Sequence, residues 1–266
     1  MRSQLLELFP PPDGPRGPQD FEELGKRADK LASDVLLHEL EARGVSCTLV
    51  CEDLGTLKLG GPGAEGPYLV VDPLDGTRNF SRGIPVASIS MAVCSGPSLT
   101  DVSEALVLEL FSGQEFWAVS GQGAFSGSTR LSVSRTSEIT KAVVSLDESR
   151  LPGEPGWVIA IASAADATRQ LGSAALELCF VASGVLDAHV DLRGRIRPMD
   201  VAAGILIARE AGAHIWLRGS MRVNGALDTR ERVLILASTP GLFDRLKRLL
   251  SPYMGVGVTL RGRSSS

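Results

Sequence analysis

The chain has 266 residues, and 27 Lys and Arg against 31 Asp and Glu give a formal net charge of −4. That length makes one large domain or two intimate ones, and 44% hydrophobic with 22% charged residues excludes a disordered, collagenous or coiled-coil chain. A mildly acidic balance argues against a nucleic-acid or anionic-membrane partner, whose binding rests on basic surface.

Residues 1–16 join a short apolar patch to a Pro/Gly-rich stretch, with no long apolar core or cleavage signal. No apolar run approaches the roughly 20 residues of a membrane span, so the expectation is a cytoplasmic protein. From Phe21, the residues Leu24, Ala28, Leu31 and Val35 alternate steps of three and four, which predicts an amphipathic helix. Asp20 is its expected cap and Gly44 its stop. Val45–Cys51 reads as a strand ending in Glu52-Asp53. After the connection 60–67, Tyr68–Val71 reads as a short buried strand closed by Asp72, because Pro73 cannot continue a central ladder.

Val86–Cys94, Glu104–Phe111 and Gln114–Val119 predict antiparallel strands, the last two joined by a Ser112-Gly113 turn. Beyond them, 156–170 and 173–183 read as helices, 187–192 as a strand, 199–211 as a helix stopped by Gly212, 232–238 as a strand and 242–250 as a last helix, with a frayed tail after Tyr253. The expected organisation is an N-terminal α+β half, 1–150, packed on a C-terminal α/β half, 151–266, sharing an interface.

Several matches carry no chemistry. Cys47, Cys51, Cys94 and Cys179 form no CxxC pair. Residues 61–66 fit G-x-G-x-x-G but precede a strand instead of following one. Asn79-Phe80-Ser81 is a sequon without a secretory context. His38, His189 and His214 are mutually isolated in sequence, and Trp117, Trp157 and Trp216 read as core or interface.

The chemistry concentrates in Val70-Val71-Asp72-Pro73-Leu74-Asp75-Gly76-Thr77-Arg78-Asn79-Phe80. A buried strand runs into two carboxylates three residues apart, which converge if Leu74 carries the bend and adds its carbonyl oxygen. Gly76-Thr77 then open a helical turn whose free N–H groups face an anion. A hard divalent cation beside a phosphate needs this combination.

This segment resembles the first signature of the inositol monophosphatase superfamily of metal-dependent sugar phosphatases. Arg197-Pro198-Met199-Asp200-Val201-Ala202-Ala203-Gly204 is similar to the second, with Met199 where the family has Trp. Leu171-Gly172-Ser173-Ala174-Ala175 resembles the substrate-pocket turn, and Glu52-Asp53 stand where the family has a Glu-Glu pair. The resemblance runs from about Ala28 to Ser238 and implies a layered α-β-α-β-α sandwich.

It also implies a site. Glu52, Asp72 and the Leu74 carbonyl would hold one Mg²⁺; Asp72, Asp75 and Asp200 a second; and a third, mostly water-bound ion would sit near Glu52, with Mn²⁺ as a substitute metal. Thr77 and Asp29, within Lys26-Arg27-Ala28-Asp29, would orient the metal-activated water, with Glu52 assisting. Upstream, Phe21–Leu24 departs from the family's mobile loop. Asp75, Gly76, Thr77, Gly172, Ser173, Ala174 and Asp200 would contact substrate. Arg193 stands seven positions before Asp200, where animal members carry an acid, and its surroundings resemble the archaeal branch acting on inositol monophosphate and fructose 1,6-bisphosphate. A guanidinium fork suits a second phosphate, and Arg169 could reach the same pocket. The implied function is a Mg²⁺-dependent phosphomonoesterase of sugar and polyol phosphates, a homodimer serving carbohydrate metabolism, gluconeogenesis included. The alternatives are a 3′-phosphoadenosine nucleotide phosphatase of the same superfamily and a non-catalytic, protein-binding regulator.

Overall fold

The structure, a computed structural model, describes all residues except 12, 15–16, 62–65, 152, 154, 220–221, 223–231 and 264–266. The interior of the G-x-G-x-x-G match therefore lies outside the described residues. Two sheets and three helical layers alternate. The larger sheet has the order β2-β1-β3-β4-β5-β6-β7-β8, built from Cys47–Cys51 (β1), Gly55–Leu59 (β2), Tyr68–Asp75 (β3), Ser88–Cys94 (β4), Val102–Glu109 (β5), Glu115–Val119 (β6), Gly123–Ser126 (β7) and Thr129–Arg130 (β8). Only β1 and β3 run parallel in it; every other neighbouring pair is antiparallel.

The smaller sheet has the order β10-β9-β11-β13-β12-β14, from Val143–Leu146 (β9), Ala167–Arg169 (β10), Ala188–Ile196 (β11), His214–Gly219 (β12), Val233–Ser238 (β13) and Val258–Leu260 (β14). The chain thus passes between sheets after β8 and ahead of residue 150.

Helices Ala174–Ala182 (α5) and Pro198–Glu210 (α6) fill the space between the sheets, packing with Val70 and Val107 on one side and Val233, Ile235 and Ala237 on the other. A helix covered on two faces must be apolar nearly all round, which is why α5 and α6 show no polar stripe. Gly204 lets them approach closely, since a Cβ there would lie 2.7 Å from Leu178 Cδ1. Arg2–Leu8 (α1) and Pro18–Ala42 (α2) cover the outer face of the larger sheet through Leu5, Ala28, Ala32 and Leu36. Gly156–Ala164 (α4) and Pro240–Met254 (α7) cover the outer face of the smaller one through Trp157, Ile161, Leu242 and Leu246. The layering is α-β-α-β-α, as expected.

The differences from expectation have local causes. Pro18 takes the first helical position of α2, so Asp20 sits in the first turn and accepts from Gly17 N–H at 3.1 Å instead of capping. The expected helix 156–170 stops at Ala164, because parallel pairing with β9 draws 167–169 into β10. The tail is not frayed throughout: β14 pairs with β12, and Arg263 Nε reaches buried Glu210 at 3.0 Å. Residues 2–8, an apolar patch in sequence, form α1. All four cysteines are buried and free.

The largest correction concerns β3. The strand does not end at Pro73 but continues to Asp75 through a bulge: Asp72 pairs with Ser90 and Asp75 with Ser88, three residues opposite two. Side chains alternate faces along a regular strand, so residues three apart would diverge. One extra residue at Pro73-Leu74 returns Asp75 to the face of Asp72. Proline is tolerated at such a bulge.

Candidate active site

The bulge delivers Asp72 to a point where Glu52, just past β1, and Asp200, in the first turn of α6, also arrive. One carboxylate oxygen from each of the three lies within 4.8 Å of the others. Asp72 is 3% exposed, and one of its oxygens accepts from Leu74 N–H at 3.1 Å. Burial, then the charges of Glu52, Asp75 and Asp200, push its carboxyl well above the usual range. Burial raises Glu52 as well, against the pull of Arg197.

Asp75 is beside the trio. Its Oδ2 accepts from Ser173 Oγ at 2.7 Å and Ala175 N–H at 2.9 Å, and burial raises its carboxyl to about 7. These bonds fasten the Leu171–Ser173 turn to the bulge, and Asn79 Nδ2 adds two more, to the Leu171 carbonyl at 2.6 Å and the Val86 carbonyl at 3.0 Å. Asn79 is thereby a structural cross-link. Gly76 turns the chain at φ 98°, and a Cβ would meet the Val86 carbonyl oxygen at 2.9 Å. Glycine is required there.

Gly76 leads into the short helix Thr77–Ser81 (α3). Thr77 Oγ1 lies 2.7 Å from Asp29 Oδ1 and 3.0 Å from the Leu74 carbonyl oxygen. Asp29 is held up at about 7, chiefly by burial and then by Asp53 and Glu52, with the Thr77 bond opposing. Asp29, Gly76 and Thr77 open onto a cleft of about 820 Å³ that continues past Gln170 and Gly172 and carries the cations Lys26, Arg78, Arg82 and Arg150.

Hard oxygen donors converging in a partly buried pocket fit a divalent cation: Glu52, Asp72 and Asp200 bring three carboxylates with Asp75 beside them, and Arg197 is a cation among them. Its Nη2 is 2.5 Å from Glu52 Oε1 and 3.2 Å from Asp200 Oδ1.

The expected arginine pair is placed differently. Arg193 Nη2 contacts Asp191 Oδ2 at 2.5 Å and Asp147 Oδ2 at 2.6 Å, and Nη1 donates to the Ser149 carbonyl at 3.0 Å. Its fork is already filled, and a phosphate would have to take it from these partners. Arg169 is exposed, with Nη1 on the Thr168 carbonyl, and the cleft wall beside it is made by Gln170. Ala174 packs against the central core.

The sequence reading missed Glu177. This buried acid on α5 accepts from Leu171 N–H at 2.9 Å, so it holds the substrate-pocket turn from behind. Burial raises it to about 8. Glu177 Oε2 lies 3.6 Å from His189 Nδ1, which bonds Ser145 Oγ at 2.9 Å. This is no catalytic triad: all three are sealed from solvent, and the acid and the serine address the same ring nitrogen. A polar residue inside an otherwise apolar helix was the signal that could have found Glu177.

The chain is similar in sequence and fold to known proteins. The family model described as "Inositol monophosphatase family" matches residues 15–251. A protein of Methanothermobacter thermautotrophicus named fructose-1,6-bisphosphatase/inositol-1-monophosphatase is 36% identical over 220 residues, 80% of this chain and 78% of its own. A Pyrococcus furiosus protein named fructose-1,6-bisphosphatase is 34% identical over 238 residues, 88% of this chain and 86% of its own. Among solved structures, an extragenic suppressor from Pyrococcus furiosus superposes with a TM-score of 0.69 at 31% identity, covering 93% of both chains.

Proposed function

The chain belongs to the inositol monophosphatase family, and from that premise we propose that it is a Mg²⁺-dependent phosphomonoesterase of small sugar and polyol phosphates, fructose 1,6-bisphosphate and inositol 1-phosphate first among them. The observation that carries the reading is the β3 bulge, which turns Asp72 and Asp75 to one face beside Glu52 and Asp200. Mg²⁺ bound there would neutralise the phosphate oxygens and make a water acidic enough to attack phosphorus at neutral pH.

Glu52, Asp72 and the Leu74 carbonyl would hold one ion, and Asp72, Asp75 and Asp200 a second; a third, water-bound ion would border Glu52. Thr77 and Asp29 orient the attacking water and accept its proton. The Gly76 and Thr77 amides, at the start of α3 where no side chain caps the helix, would hold the phosphate. Ser173 fixes Asp75 through Oδ2, which would leave its other oxygen for a metal, and Gly172 lets the pocket turn come close to Asn79. Arg78, Arg82 and Arg150 bring to the cleft the positive charge that a second phosphate would use, while the acids Glu22 and Asp147 in the same lining are paired with Lys26 and Arg193.

A cytoplasmic, homodimeric enzyme completes the reading. No helix among the described residues is long and apolar enough to cross a membrane. The incompletely covered face of the larger sheet, with Leu69, Met91, Val93 and Trp117, supplies apolar surface for self-association.

The test is phosphate release from fructose 1,6-bisphosphate, inositol 1-phosphate and 3′-phosphoadenosine 5′-phosphate, with Mg²⁺ and with chelator. Mg²⁺-dependent release from either of the first two supports the reading. Release from the nucleotide alone replaces it with a nucleotide phosphatase, and release from none leaves the binding role.

A further inference from the structure

Arg197 sits where nothing in the proposed chemistry needs a cation, yet it is the best-anchored side chain of the carboxylate cluster. As the residue preceding α6, it contacts Asp200 twice over: its backbone N–H donates to Oδ2 at 2.9 Å, and its Nε reaches Oδ1 at 3.2 Å. Its Nη2 spans from there to Glu52 Oε1 at 2.5 Å. The guanidinium therefore bridges the central helical layer to the end of β1, and it does so through two of the three acids whose oxygens converge within 4.8 Å. Those acids hold Arg197 firmly in its charged form, overcoming the cost of its own burial.

We propose that Arg197 is an exchangeable counter-ion: it holds Glu52 against Asp200 while the site awaits a divalent cation and yields Glu52 when the ion binds. Three features carry this. Arg197 holds Glu52 Oε1, one of the two oxygens that Glu52 could offer a metal, so a cation drawing on that carboxylate would compete with the guanidinium. Without a cation, the three carboxylates that converge within 4.8 Å would face one another in a pocket where Asp72 is almost wholly buried, at high electrostatic cost. Finally, Arg197 keeps a second anchor on Asp200 through its Nε and backbone, so releasing Glu52 does not release the helix. Metal affinity is then set partly by the exchange: Arg197 stabilises the empty site and weakens metal binding by the same interaction.

The inference rests on the reading of Glu52 and Asp200 as metal ligands, and the experiment separates the two. Mn²⁺ is titrated into wild type, Arg197→Met and Arg197→Lys while free Mn²⁺ is followed by electron paramagnetic resonance; thermal melts are run in chelator and in excess Mg²⁺. Arg197→Met is expected to bind Mn²⁺ about tenfold more tightly, to melt lower than wild type in chelator, and to gain more from Mg²⁺. Arg197→Lys keeps the charge but cannot fork two carboxylates, and it should fall between the other two; it carries the comparison if the Met variant does not fold without metal. An unchanged or weaker Mn²⁺ affinity in the variants overturns the exchange and makes Arg197 a fixed positioning residue. Wild type that binds no Mn²⁺ brings down the metal reading itself.

Discussion

Thr77 donates from Oγ1 to Asp29 Oδ1 across 2.7 Å, joining the first turn of α3 to the middle of α2. A hydroxyl has one proton, for which Asp29 at 2.7 Å and the Leu74 carbonyl at 3.0 Å compete; donation to Asp29 leaves the Thr77 oxygen able to accept from a water. The two residues act as a unit. Asp29→Asn and Thr77→Val are each expected to lower kcat by about 10²-fold or more, and the double variant should lose little beyond either single. Mn²⁺ affinity should stay near wild type, since neither residue is a proposed ligand. Additive losses in steady-state kinetics would show that they work independently.

Asp72→Asn should trade function for stability. The neutral amide can still accept from Leu74 N–H through its oxygen, so the bulge survives. It removes a carboxylate whose ionised form burial, Glu52, Asp75 and Asp200 all oppose, and with it the cost of keeping that group protonated in the folded state. The variant is expected to melt higher than wild type in chelator and to lose both turnover and the Mg²⁺-dependent gain in Tm. A lower Tm in chelator would mean that Asp72 stabilises the empty site.

The same carboxylates give the metal-free protein a distinctive pH profile. Asp29 and Asp75 are raised to about 7 and Glu177 to about 8, so the folded state holds protons that the unfolded chain has already released. Their stabilising contribution is complete below the unfolded carboxylate pKa and is lost as pH climbs through the folded values. His189, lowered to about 4 by burial, works in the opposite sense only below its unfolded value near 6.5. Between about pH 6.5 and pH 8 the carboxylates dominate, the buried thiols adding a contribution of the same sign only nearer the unfolded thiol pKa, and Tm in chelator should fall with rising pH. Excess Mg²⁺ should flatten or reverse the slope, because ligands bind metal deprotonated. A Tm in chelator that climbs across this window would refute the assignment.

Arg193 supplies a prediction that separates substrate binding from folding. Its guanidinium neutralises Asp191, which is fully buried, and ties Asp147 and the Ser149 carbonyl to β11. Arg193→Met leaves a buried carboxylate without its partner, a loss of about 3–5 kcal/mol by analogy with other broken buried pairs. Urea unfolding should register it directly. If stability is kept while KM for fructose 1,6-bisphosphate alone rises, the side chain serves the substrate after all.

How far these features could be read in the sequence follows from their range. Asp72, Asp75 and Gly76 were legible because strand, proline, acids and glycine lie within a few residues, and only the bulge itself, which depends on pairing with Ser88 and Ser90, was not. The layering was implied by the family resemblance, while the strand-rich first half and alternating second half by themselves indicated only two packed halves. Strands β10 and β14 escaped because each is three residues long and owes its form to neighbours in the smaller sheet. Arg197 was visible as a motif residue but not as the partner of Glu52, since that contact joins two layers. Arg193 invited a phosphate role because nothing local reveals that Asp147 claims it.

Glu177 is the clearest case of a site residue defined wholly by tertiary contacts, and its protonation can be tested by isostere. With its carboxyl raised to about 8, the acid is neutral at physiological pH, where it accepts from Leu171 N–H and has a proton to donate. A glutamine reproduces this hydrogen bonding without charge. Glu177→Gln should therefore leave Tm and KM near wild type at about pH 7, and should remove one contribution to the fall of Tm at higher pH. Glu177→Leu deletes the acceptor and leaves the Leu171 N–H unpaired beside Asn79 and Ser173, which costs about 1–3 kcal/mol. Because the turn it frees carries Ser173 to Asp75, KM should rise along with the loss of stability. If Gln behaves like Leu in thermal melts, Glu177 is ionised in the folded protein, and the buried negative charge must be balanced by a protonated His189 instead.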